Sequence, residues 1–197
     1  MKNIWFNSDL HLSHANIIKY CKRPFVRTEF PEDDKRHWDY ETMDETLVKN
    51  HNELVGSDDD VYNLGDLTFG RDANVDRARQ LLRRMNGRHH FIFGNHDKIA
   101  TQLSDMFVWM KHYHEFKQGE ITIILFHYAL RTWNHQFKGS MHLYGHSHGT
   151  LPEDKSLSFD VGVDTHDFRP YHLDDIIKKM ERKRRDNSPG LPPGDSK

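Results

Sequence analysis

The chain has 197 residues, 36% of them hydrophobic and 29% charged, with a formal net charge of −2. That balance excludes a disordered chain and suits one soluble domain that buries its own core. The near-neutral charge predicts no bulk attraction to nucleic acid or membrane, and no apolar run reaches membrane-spanning length.

In chain order, Ile4–Phe6 reads as a short buried strand bounded by Asn7, Ser8 and Asp9. Ser13 or Asn16 opens a helix through Ile17, Ile18 and Tyr20, broken at Pro24. A longer helix is predicted from Asp34 to Val55, ended by Gly56. Val61–Leu64 is the next strand, and Asn74–Met85 an amphipathic helix closed by Gly87. His90–Phe93 forms a strand and Lys98–Leu103 a short helix. His112–Lys117 and Glu120–Phe126 pair as strands around a Gln118-Gly119 turn. Met141–Tyr144 and Leu157–Val163 are further strands, and Asp174–Arg184 is the closing helix. Helices alternate with strands early and strands dominate later, which predicts a layered α/β domain over residues 1–185. Residues 186–197, rich in Pro, Gly and Ser, are expected to be a disordered tail. The lone Cys21 rules out an internal disulfide, and the start of the chain lacks a signal-peptide pattern, so a reducing, cytoplasmic setting is expected.

Five polar clusters interrupt this pattern: Asp9-Leu10-His11, Gly65-Asp66, Gly94-Asn95-His96-Asp97, His127, and Gly145-His146-Ser147-His148. Each follows a predicted strand, and layered α/β folds bind ligands beyond the carboxyl ends of their strands. The clusters are therefore expected to converge. Glycine precedes Asp66, Asn95 and His146, where it lets the backbone turn sharply and approach closely. Carboxylate oxygens with imidazole nitrogens suit manganese, iron, zinc, nickel or cobalt, with manganese expected first. The donors outnumber those of one tetrahedral ion and suffice for two divalent ions about 3.5–4 Å apart, the clamp used in phosphoryl transfer. Two such ions carry four positive charges, from which two aspartates and a hydroxide subtract three. The residual positive charge favours an anionic phosphate.

In this order the motifs resemble those of the calcineurin-like metallophosphoesterases, and the resemblance spans Asp9 to His148. It implies a four-layer α/β/β/α sandwich, two mixed sheets flanked by helices. It also implies roles: Asp9, His11 and His148 on a first metal, Asn95, His127 and His146 on a second, and Asp66 bridging both. His96 would contact the phosphate and protonate the leaving oxygen, with Asp97 orienting it. One departure stands out: residues 65–71 lack the acidic residue that many members carry three positions after the bridging aspartate.

Blander readings compete with these. Asn and Asp favour turns for local reasons, and His146 and His148 alone would be surface residues of a strand. His14 lines the pocket or sits on a helix surface. His89, His90, His112 and His114 read as structural, and Cys21 as a small buried hydrophobe. Asp160 and Asp164 supply second hydrogen bonds to the site or cap strand ends. Arg131 is a candidate for a second phosphate oxygen, Trp133 for stacking on a base, and Arg23 for the rim. The basic run Lys178–Arg185 reads as a solvated helix end before a nucleic-acid grip. The function these residues favour is hydrolysis of a phosphodiester, a nucleotide or nucleic-acid-like substrate, by metal-activated water. A phosphomonoesterase and a non-catalytic metal-binding scaffold are the alternatives, and oligomeric state is left open.

Overall fold

The computed structural model describes residues 2–69 and 72–186. Its frame is a five-stranded sheet built from β1 (Ile4–Asn7), β2 (Asp60–Asn63), β3 (Arg88–Ile92), β4 (Met110–Lys111) and β9 (Tyr171–His172), in the order β4-β3-β2-β1-β9. The first four run parallel, and β9 closes the edge antiparallel to β1. A second sheet holds β5 (Tyr113–Gln118), β6 (Ile121–Phe126), β7 (Met141–Tyr144) and β8 (Ser158–Asp160) in chain order. Only the β5–β6 hairpin within it is antiparallel. Both sheets are mixed, as expected.

Strand β1 is interior to the sheet and covered on both faces, so Ile4–Phe6 reads as a continuous apolar run. Phe6, Leu64 and Ile92 from the first sheet meet Ile123, Leu125, Met141 and Leu143 from the second in one core between the sheets. Three helices cover the outer face of the first sheet: α1 (Ala15–Tyr20), α2 (Tyr40–Asn52) and α3 (Asp72–Leu82). Val75, Ala78, Leu81 and Leu82 give α3 the three- and four-residue spacing of one apolar face, and they join Met43, Leu47 and Phe91 in a second core. The closing helix α4 (Leu173–Asp186) sends Leu173, Ile176 and Met180 into the core between the sheets. Among the described residues no helix is long and apolar enough to cross a membrane.

The long helix expected over Asp34–Val55 is in two pieces. A 3-10 turn at Lys35–His37 precedes α2, and Asp39 breaks them apart by capping α2, accepting from Thr42 N at 3.0 Å. The Lys98–Leu103 helix is a 3-10 stretch over Asp97–Met106. The strand expected over Leu157–Val163 stops at Asp160, where the backbone turns into a 3-10 turn at Val163–Thr165. Asp186 still belongs to α4, and the rest of the tail expected at 186–197 lies outside the described residues.

Candidate metal centre

The loops that leave β1, β2, β3, β6 and β7 carry the five motifs, and the parallel strands deliver them to one end of the sandwich. Asp9 N donates to Gly65 O at 2.9 Å, His11 N to Asp66 O at 3.0 Å, and Leu12 N to Leu67 O at 2.8 Å, so the first two loops run side by side. Gly145 N joins the last two by donating to His127 O at 2.9 Å. Backbone strain concentrates here. Asp9, His11, Asp66, His146 and His148 have φ of 59°, 49°, 54°, 66° and 47°. Such left-handed conformations cost an L-residue about 1–2 kcal/mol each, and they cluster where function over-determines the backbone. The expected close approach at glycine is also present. A Cβ on Gly94 would lie 2.6 Å from Asp66 N and 2.9 Å from His127 Cε1, and one on Gly65 only 2.6 Å from Gly94 N.

The side chains gather in two groups whose ligand atoms lie within 4.8 Å of one another: Asp9, His11 and His148, and Asp66, His127 and His146. Asp66 stands between them, its Oδ2 3.7 Å from His11 Nε2 and 3.6 Å from His127 Nε2. Asn95 Oδ1 lies 3.0 Å from His127 Nε2, and His148 Nε2 lies 3.8 Å from Asp9 Oδ1. Most of these separations exceed a hydrogen bond and suit an intervening cation. His11 Nε2 is buried without any hydrogen-bond partner, an unusual state for a ring nitrogen facing a carboxylate. The donors therefore fit divalent ions. Burial lifts the Asp9 carboxyl to about 7, so without a cation it tends to keep a proton. At His148 burial works to lower the pKa, but the Asp164 and Cys21 hydrogen bonds and the Asp9 charge lift it to about 10. Both shifts favour a bound proton where a cation would lie.

Other groups aim these ligands. His127 Nδ1 sits 2.7 Å from Leu64 O and His148 Nδ1 2.6 Å from Asp164 Oδ2, which turns both Nε2 atoms toward the centre. Asp160 accepts from Ser147 Oγ at 2.7 Å and Gly149 N at 2.9 Å, steadying the loop that carries His146 and His148. Asp160 and Asp164 thus both support the site by hydrogen bonds.

Several expected roles change. Asp97 accepts from the backbone N–H groups of Asp66 at 2.7 Å, Leu67 at 3.0 Å and Gly94 at 2.6 Å. It holds two ligand loops together, and the Phe69 ring meets that of His96 edge-on at 4.8 Å. His96 faces the centre, its Nε2 4.0 Å from Asp66 Oδ2. His14 lines the pocket, its Nδ1 3.5 Å from His11 Nδ1 and its ring 4.6 Å from Phe69. Arg23 is not at the rim: it is 3% exposed and engaged with Asp164 and backbone carbonyls. Trp133 is half-buried. Its indole N–H donates to Ser140 Oγ at 3.0 Å and its ring lies 5.3 Å from His142, a residue of β7 that faces away from the core between the sheets. Arg131 is exposed and lines a groove with Leu130, Tyr144 and Leu151. Two rings escaped the sequence reading. Exposed Phe69 touches His14 and His96, and exposed Tyr128 stands 5.0 Å from His127 and 4.7 Å from His146. Tyr128 directly follows His127 and Phe69 lies three positions after Asp66, which was the available signal.

No protein-family profile matches the chain. An uncharacterised protein of Methanocaldococcus jannaschii is 34% identical over 188 residues, covering 92% of this chain and 93% of that protein. The gene 66 protein of mycobacterium phage D29 is 27% identical over 210 residues, covering 91% and 96%. Among solved structures, a protein of unknown function from Aquifex aeolicus shares the fold with a TM-score of 0.69 at 20% identity, covering 91% of this chain and all of that one. The five motifs that resemble those of the calcineurin-like metallophosphoesterases meet at the ends of the strands, and the chain belongs to one family with the archaeal protein.

Proposed function

We propose that the chain hydrolyses a phosphodiester of nucleotide or nucleic-acid type, using two divalent metal ions of which manganese is the first expected. One observation carries the reading: seven donor side chains from five strand ends face one another, and the buried His11 Nε2 has no other partner. Asp9, His11 and His148 would hold one ion, Asn95, His127 and His146 the other, and Asp66 both. Ions held there would supply Lewis-acid charge and would lower the pKa of a water for attack on phosphorus. His96 stands beside Asp66, donating its backbone N–H to Asp66 Oδ1 at 2.9 Å. From there its ring gives a proton to the departing oxygen. Asp97 keeps Asp66 and Gly94 fixed while charge builds on the phosphoryl oxygens.

The diester preference draws on the shape of the mouth. Asn95 and His146 are exposed, so the site is open on that side. Phe69 and Tyr128 flank it with ring faces suited to planar groups on a substrate. The test is metal analysis with turnover of bis-p-nitrophenyl phosphate and p-nitrophenyl phosphate in Mn²⁺. Faster diester than monoester turnover is expected. Metal-loaded, folded protein that is idle on both would overturn the enzyme, and a monoester preference would overturn the diester.

A further inference from the structure

We propose that Arg23 is a positioning residue for one metal site only, bracing Asp9, His11 and His148 while leaving the Asn95, His127 and His146 group untouched. The inference rests on the two-ion reading above. The Arg23 side chain is wholly buried, and all its donors are engaged. Nε and Nη2 grip the two oxygens of Asp164 at 2.7 and 2.8 Å. Nη2 also donates to Asp9 O at 2.8 Å, and Nη1 to Leu10 O at 3.2 Å and Met43 Sδ at 3.3 Å. Asp164 Oδ2 passes the constraint on to His148 Nδ1 at 2.6 Å. One planar group thus fixes the backbone of the Asp9–His11 loop and, through Asp164 141 positions away in sequence, the ring of the third ligand.

The chain delivers Arg23 by a local device. Helix α1 ends at Tyr20, Lys22 turns through a left-handed φ of 52°, and Arg23 N donates to Ile18 O at 2.9 Å. That turn points the side chain inward beneath the first ligand loop. A guanidinium suits the task because its fork meets a carboxylate edge-on with two bonds and still has donors for carbonyls. An ammonium has neither the plane nor the reach to hold both. The positive charge is tolerable beside a cation because Asp164 neutralises it. Cys21, His148 and Asp164 also bring donor atoms within 4.8 Å of one another. Since Arg23 already engages both oxygens of Asp164, that trio is a brace and not a third cation site.

The alternative is a buried ion pair that serves stability alone, and it predicts no difference between the two sites. The experiment is Mn²⁺ titration of wild type, Arg23→Lys and Asp164→Asn, followed by equilibrium dialysis and electron paramagnetic resonance, with circular dichroism confirming folded protein. Wild type is expected to bind two ions with a spin-coupled signal. Each variant should keep one ion within about threefold of wild-type affinity and bind the other about 10- to 100-fold more weakly. At concentrations that saturate wild type, the variants should then show the signal of an isolated ion. The double variant should be no worse than either single, because the two residues act as one unit. A coupled pair that survives in both variants, or an equal loss at both sites, overturns the brace. A wild type that never shows the pair overturns the two-ion reading itself, and the brace with it. Should Arg23→Lys not fold, Asp164→Asn alone decides.

Discussion

Histidines crowd both ends of the sheets, but the two ends use them differently. At the start of β3, His51 Nε2 lies 2.7 Å from Asn86 O, His90 Nε2 2.9 Å from Asp60 Oδ1, and His89 Nε2 3.4 Å from Met85 O. Their backbones avoid the left-handed region, and among the described residues none joins a cluster of three donors. At the other end, His11, His146 and His148 sit on left-handed backbone, and the Nε2 atoms of His11 and His148 face Asp66 and Asp9 across 3.7 and 3.8 Å, wider than a hydrogen bond. Burial alone does not separate the two, since His51 is as buried as His11 and its Nδ1 is likewise unpartnered. Convergence on shared carboxylates, maintained against backbone strain, is what marks a metal centre.

The sharpest way to break the contrast is Asp66→Asn, which removes the negative charge between the two groups. Turnover of a diester should fall by about 10²-fold or more, and bound metal should drop, while the metal-free chain stays folded. Wild-type turnover with unchanged metal content would remove Asp66 from the site. Gly94→Ala comes next. Its Cβ would collide with Asp66 and His127, so affinity for the ion they share should weaken about 10-fold, measured by dialysis. Unaltered affinity would mean the loop gives way freely.

His142→Phe probes a histidine outside the centre. Its Nε2 accepts from Leu130 N at 3.1 Å, and losing that acceptor should cost about 1–3 kcal/mol in denaturant unfolding with metal stoichiometry unaffected. A change in stoichiometry would tie the far face of β7 to the site. The smallest effect is on pH. Burial holds His51 and His142 near 4, below the unfolded value of about 6.5. The fold therefore favours their neutral forms. Their contribution is whole above pH 6.5 and disappears as the pH falls through 4. In metal-free protein the gap in thermal midpoint between wild type and His142→Phe should narrow over that window. A constant gap would show that His142 titrates normally.

Much of this was written in the sequence, because motifs local to one strand end need no knowledge of the rest. Met141–Tyr144 is a strand with the predicted bounds, and the glycines before Asp66 and Asn95 stand where the loops crowd. What stayed hidden depends on distant partners. Strands β4 and β9 are two residues each and carry no periodicity; they exist because β3 and β1 offer them open edges. Only the fold shows that the Trp133 ring packs on His142. Asp97 looked like a partner of its neighbour His96, yet its carboxylate reaches across to the backbone of a loop 31 positions earlier.

The bridge between Ser8 and Gly162 joins the end of β1 to the segment leaving β8, one residue from Asp9. Val163 N donates to Ser8 O at 3.1 Å in the same seam. Opening the two sheets like a book would begin by parting this stitch, and the ligands on either side of it would separate together. Ions seated there act as a clasp on the spine: loading them should slow amide exchange at Asp9 and Val163 before it slows exchange at the sheet edges.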